Sequence, residues 1–139
     1  MNSRHRLRHI LLWLPVLLCA ILIFIQSSIP GEKIPHSALF TYDKLIHTGI
    51  YFVFSLCLAF ALRKQTHFSY LREHWFLSGI LIATFYAISD ETHQLFVPKR
   101  VADIVDLNAD ILGILLAFFL FRFMISRQPA TEATFEAQE

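Results

Sequence analysis

A chain of 139 residues has room for one domain, and 55% hydrophobic against 17% charged residues, with a mean hydropathy of +0.52, lies outside the usual soluble balance. A formal charge of +1, with no basic patch interleaved with aromatic residues, gives no footprint for nucleic acid. The apolar excess is concentrated in four blocks.

The first block, Ile10 to Ile29, carries no formal charge and has about the ~20 residues that a bilayer-spanning helix needs. Arg4, Arg6 and Arg8 precede it as they would a secretory signal, but the run is longer than a usual signal core and no small-x-small cleavage site follows. Leu18 before Cys19 argues against a lipoprotein anchor. Pro30, Gly31 and Pro35 then mark a loop. Further helices are expected over about 45–62, 75–96 and 104–125, after which 128–139 ("QPATEATFEAQE") reads as a disordered cytoplasmic tail. Cys19 and Cys57 fall inside apolar helices and carry no disulfide or redox signal.

Eight lysines and arginines fall at the N-terminus, the second connection and the C-terminus, against four in the first and third connections. This asymmetry places both termini in the cytoplasm. The expected fold is an all-α membrane protein, a four-transmembrane-helix bundle with residues 1–127 as one membrane domain, in multi-pass form.

Two of the blocks are short. The uncharged run from Trp75 to Ser89 covers roughly 22 Å, and that from Ile111 to Phe121 roughly 16 Å, of a ~30 Å hydrocarbon core. Extending them to full spans draws Asp90, Glu91 and Gln94, and Asp106 and Asp110, into the outward end of the bundle. Helical spacing sets where they point: Asp103, Asp106, Asp110, Gly113 and Ala117 share one face, as do Gly79, Ala83, Ala87, Asp90 and Gln94, and as do Asp43, His47, Tyr51 and Ser55. Charges facing lipid cost ~2.5 kcal/mol or more each, so these faces are expected to meet inside the bundle. Six carboxylates, Asp43, Asp90, Glu91, Asp103, Asp106 and Asp110, stand there against Lys44, Lys99 and Arg100. Crowded acids in a poorly hydrated site hold a proton or a cation among them, which suits an amine, a metal or proton transfer.

"DKLIHTGIY" (Asp43, Lys44, His47, Tyr51), "SDETHQLFVPKR" (Asp90, Glu91, Gln94, Phe96, Pro98, Arg100) and then Asp106, Asp110 and Gly113 resemble the pattern of the VanZ-like family of small bacterial membrane proteins. The resemblance runs from "QSSIP" to Gly113 and departs at two places: Lys99 stands where many members have glycine, and Asp110 where many have asparagine. It implies a multi-pass protein of the bacterial cytoplasmic membrane that modulates the cell envelope or glycopeptide (teicoplanin) susceptibility. It fixes no reaction.

The expected functional cluster is Asp43, Lys44, His47, Tyr51, Asp90, Glu91, Gln94, Arg100, Asp106 and Asp110, with no resident metal or cofactor. A plainer reading has Lys44, Lys99 and Arg100 pair with the acids and fix helix register. Three functional classes stay open. A binding or modulating protein would engage a lipid-linked cell-wall precursor or a lipoglycopeptide at the outer surface of the bilayer. A small membrane enzyme would use His47 with Asp90 or Glu91 as acid and base on a precursor or phospholipid head group, although no nucleophile motif, phosphate loop or HExxH is present. A proton- or cation-coupled transporter would need a homo-oligomer, since four short helices are few for alternating access.

Overall fold

A computed structural model describes residues 3–33 and 39–127. The expected tail over 128–139 and the loop position Pro35 lie outside the described residues. Everything regular within them is helical: α1 (Ser3–Ser27), a 3-10 turn (Gly31–Lys33), α2 (Leu39–Lys64), the short α3 (Ser69–Glu73), α4 (Trp75–Gln94) and α5 (Ile104–Ser126). The helices α1, α2, α4 and α5 form an antiparallel bundle. α2 is its axis, packing against α1, α3, α4 and, most extensively, α5.

The helix boundaries differ from the expected ones for physical reasons. α1 begins at Ser3 because a helix continues past the apolar run that marks its membrane part. α2 begins at Leu39 rather than 45, since Asp43, Lys44 and His47 belong to its first turns and find partners across the bundle. α4 stops at Gln94 instead of 96: Leu95, Phe96 and Val97 each donate three residues back, to the Thr92, His93 and Gln94 carbonyls, so the last turn tightens out of α geometry. The sequence carries no sign of α3, which is only five residues long and contains no fully buried residue, Leu71 alone reaching the core in part. Its approach is fixed by Gln65, which is buried and bonds both the backbone N–H and the carbonyl of Phe68.

Three helices are long and apolar enough to cross a membrane by length and composition, at Ile10–Ser27, Tyr42–Lys64 and Ile104–Ser126. The core between them holds Tyr51, Phe54, Leu58 and Leu62 of α2, Ala83 and Ala87 of α4, and Ile114, Ala117 and Phe118 of α5. Small residues set the spacing. A Cβ at Gly113 would run into the Thr48 carbonyl and approach the Phe52 amide, so α5 lies backbone against backbone on α2. Thr48 Oγ1 donates to the Ala109 carbonyl at 3.0 Å in the same contact.

At the α4 N-terminus and the α5 C-terminus the bundle closes with rings. Trp75 stacks on Phe118 and meets Phe121 edge-on, Phe76 meets Phe118 and Phe119 edge-on, and Arg122 lies 5.1 Å over the Phe76 ring. The opposite end is closed by loops. The Gly31 amide donates to the Pro98 carbonyl, and a Cβ at Gly31 would collide with the Lys99 carbonyl. Lys99 has φ 57°, the left-handed region in which glycine meets no Cβ penalty. That is the backbone reason for the glycine which the resemblance expects at this position.

Candidate functional site

The three polar faces meet at the loop-closed end. α2 supplies Asp43, Lys44, His47, Tyr51 and Ser55, one residue per turn apart from Lys44. α5 enters with Asp103 as its N-cap: Asp103 Oδ1 accepts the Val105 amide at 2.8 Å, which holds the Asp103 carboxyl below the usual carboxylate range, with Lys44 acting in the same direction. Asp106 and Asp110 follow on that face, and α4 contributes Asp90, Glu91 and Gln94, all buried.

Two linked sets of contacts result. Lys44 Nζ pairs with Asp106 Oδ1 and lies 3.4 Å from Asp103 Oδ2 and 3.6 Å from Asp43 Oδ2. Deeper in the bundle, His47 Nδ1 and Asp110 Oδ1 are 3.0 Å apart, while His47 Nε2 is 4.0 Å from Asp43 Oδ1. Glu91 ties two helices: Oε2 accepts the Asp103 amide at 3.1 Å and Oε1 accepts Gln94 Nε2 at 3.2 Å. Asp90 Oδ2 accepts Ser27 Oγ of α1 at 2.8 Å. Asp110 is wholly buried, and its Oδ2, the Tyr51 hydroxyl and Ser55 Oγ have no hydrogen-bond partner. A buried polar atom left unpaired costs ~1–3 kcal/mol, so this core carries unspent bonding capacity.

Of the ten residues expected from the sequence, Asp43, Lys44, His47, Asp106 and Asp110 are joined by direct polar contacts. His47, Tyr51, Asp90, Gln94 and Arg100 line one crevice of about 10 Å³, near the smallest space that holds a water molecule. The expected pairing of Lys99 and Arg100 with the buried acids is corrected. Arg100 Nε and Nη2 donate, each at 3.1 Å, to the carbonyls of Ile29, just past the end of α1, and of Gln26 in its last turn, which has no basic residue of its own. Lys99 pairs with Glu32 at the exposed rim. Among the described lysines and arginines, Lys44 is the one that answers the cluster's acids directly.

Sequence reasoning missed Gln26 and Ser27, the α1 residues that complete the crevice, and His93, which stacks on Phe24 and meets Ser28 Oγ at 3.1 Å. The available signal was "QSS", three polar residues closing an otherwise apolar run. Among the described residues, two groups of three could hold a divalent cation, Asp43 with His47 and Asp106, and His47 with Glu91 and Asp110; in each, one ligand atom per residue lies within 4.8 Å of the others. The second group is fully buried, and its imidazole and carboxylates are donors that zinc or manganese accepts.

A family model described as VanZ/LLP1 matches residues 11–125 of the chain. No curated protein and no solved structure matches it.

Proposed function

The chain belongs to the VanZ/LLP1 family, and from that premise we propose that it spans the bacterial cytoplasmic membrane four times, with both termini in the cytoplasm, and modulates the envelope by engaging a lipid-linked component at the outward end of the bundle. α4 is the fourth span. Its 20 residues are enough for the core, and its carboxylates, instead of meeting lipid, turn inward at Asp90 and Glu91. Residues 1–127 form the membrane domain and 128–139 a tail.

One observation carries the reading. Acids of α4 and α5 (Asp90, Glu91, Asp110) are buried with His47 of α2 at one end of the bundle, while Leu95, Phe96, Val101 and Ile104 around them expose apolar side chains to the surroundings. A cluster placed so can meet a head group whose tail stays in the bilayer. A lipid-linked cell-wall precursor or a lipoglycopeptide such as teicoplanin has that form, which gives the route from this site to glycopeptide susceptibility.

A second reading is favoured by the His47–Asp110 contact. A carboxylate on Nδ1 orients the ring, and Asp90 and Glu91 stand close by, so His47 would serve as acid or base on a precursor or phospholipid head group. Comparing lipid-linked precursors and phospholipids extracted from cells with and without the protein separates the two. Unchanged lipids together with binding of a precursor to the purified protein support the modulator. A changed head group supports the enzyme, and neither change nor binding removes both.

A further inference from the structure

Between α1 and α2 runs an apolar groove of about 460 Å³, within the range of ~300–1,000 Å³ usual for small-molecule sites. Its outer walls include Leu22 and Val53, both more than half exposed, so it opens toward lipid. Its floor is Gly49, where an added Cβ would meet nothing within 4 Å. Ile23, Gln26 and Ile50 line both this groove and the polar crevice at the buried acids. The two adjoin along these three residues, the groove apolar and the crevice polar.

The polar end selects the chemistry of the occupant. The crevice has room for one water-sized group. Asp90, Gln94, His47 and the Tyr51 hydroxyl face it, and that hydroxyl is unpartnered on a residue only 1% exposed. Arg100 also lines the crevice, but its Nε and Nη2 are spent on the Ile29 and Gln26 carbonyls. A phosphate is larger than the space and would meet the carboxylate of Asp90, the one acid that lines it. A primary ammonium fits both the size and the charge.

We propose that the α1–α2 groove seats the hydrocarbon tail of a primary-amine amphiphile whose ammonium enters the crevice at Asp90 and Tyr51. This rests on the reading of the polar end as a lipid-engaging site and names the class of lipid. Charge complementarity supplies head-group choice, and the groove supplies the contact area.

The test uses purified full-length protein in vesicles containing a trace of phosphatidylethanolamine with a photoactivatable group in its acyl chain, or phosphatidylglycerol with the same chain. Label is expected on the groove-lining parts of α1 and α2, with about tenfold more from the amine than from the glycerol head group, the ratio that one charge-assisted hydrogen bond supports. Gly49→Leu fills the groove from an open position and reduces labelling to that of bulk lipid without lowering the melting temperature. Asp90→Asn abolishes head-group preference and keeps the tail contact. Equal labelling by both lipids overturns the proposal, as does a Gly49→Leu protein that labels like wild type. If Gly49→Leu melts early, Val53→Phe on the exposed wall takes its place, and labelling unchanged by that substitution overturns the proposal equally. Should labelling fail while amide substitutions in the cluster still abolish the envelope phenotype at full abundance, the groove is lost and the function of the polar end survives.

Discussion

The two ends of the bundle are closed by opposite means. At one, Trp75, Phe76, Phe118, Phe119 and Phe121 interlock as rings, with Arg122 over Phe76, and the contacts are satisfied by shape. At the other, carboxylates outnumber the cation that touches them, Lys44, and buried acceptors are left unpaired. Packing alone would be served by rings at both ends, since replacing buried ion pairs by apolar groups is often neutral or stabilising. The proposed function accounts for this difference by a polar end that is kept for something other than holding helices together.

The sharpest way to break the comparison is to ask which side of the membrane each end faces. In a variant lacking Cys19 and Cys57, a single cysteine at Glu32, beside the polar end, is expected to react with an impermeant thiol reagent in intact cells, and one at Thr66, beside the ring end, is not. Reaction at Thr66 alone would invert the topology.

The next effect concerns the small residues. Gly113→Ala forces a Cβ against the Thr48 backbone, which cannot move without separating α2 from α5, so a loss of about 1–3 kcal/mol is expected. Gly79→Ala at the ring end meets the interlocked Phe118 ring, a side chain and not backbone, and should cost somewhat less. Denaturant midpoints in mild detergent compare the two, and a larger loss for Gly79→Ala would reverse the order of rigidity assigned to the two ends.

A smaller difference separates two arginines. Arg100→Ala removes two bonds, to the Gln26 carbonyl of α1 and to the Ile29 carbonyl just beyond it, and is expected to cost about 1–2 kcal/mol, whereas Arg127→Ala removes a cation over the Phe123 ring worth about 0.5–1 kcal/mol. Equal melting temperatures would take Arg100 out of the loop closure. The smallest effect is a gain. Lys99→Gly relieves a left-handed backbone at about 1 kcal/mol while surrendering only an exposed pair with Glu32, so the melting temperature should rise slightly.

These contrasts also show how far the sequence could be read. The small-residue and acidic faces of α4 and α5 were legible because a 3.6-residue repeat puts Gly79, Ala83, Ala87 and Asp90, or Asp106, Asp110 and Gly113, on one side whatever the surroundings. The partner of each charge was not legible. Arg100 looks like a counter-ion on charge count, yet its place in the loop sets it against the end of α1, more than seventy residues away in sequence, where carbonyls compete successfully with carboxylates. The early start of α2 was half hidden by polarity: Asp43 falls on the helical repeat of His47, Tyr51 and Ser55, but with Lys44 it lies outside the apolar run that set the boundary at 45. Gln26 and Ser27 entered the site through tertiary packing; the polar "QSS" that closes the apolar run marks them as unusual but not what they face.

The central claim is that the polar end serves a ligand and the ring end serves the fold. Its most direct test measures membrane abundance, melting temperature and envelope or glycopeptide-tolerance phenotype together for Glu91→Gln and Asp90→Asn, with Phe118→Ala as the ring-end counterpart and Glu32→Gln as a control of the same chemistry. Phe118→Ala should lose about 3–5 kcal/mol of stability, and its phenotype should fall in step with abundance. Asp90→Asn keeps shape, keeps an oxygen for Ser27 Oγ and relieves like-charge crowding, so its abundance and melting should stay near those of wild type and Glu32→Gln while the phenotype per molecule disappears. Glu91→Gln sets a donor against the Asp103 amide or Gln94 Nε2 and should melt somewhat earlier, with the phenotype lost out of proportion to abundance. A phenotype that tracks abundance in all of them would contradict the claim and leave the buried acids as a lattice that only sets helix register.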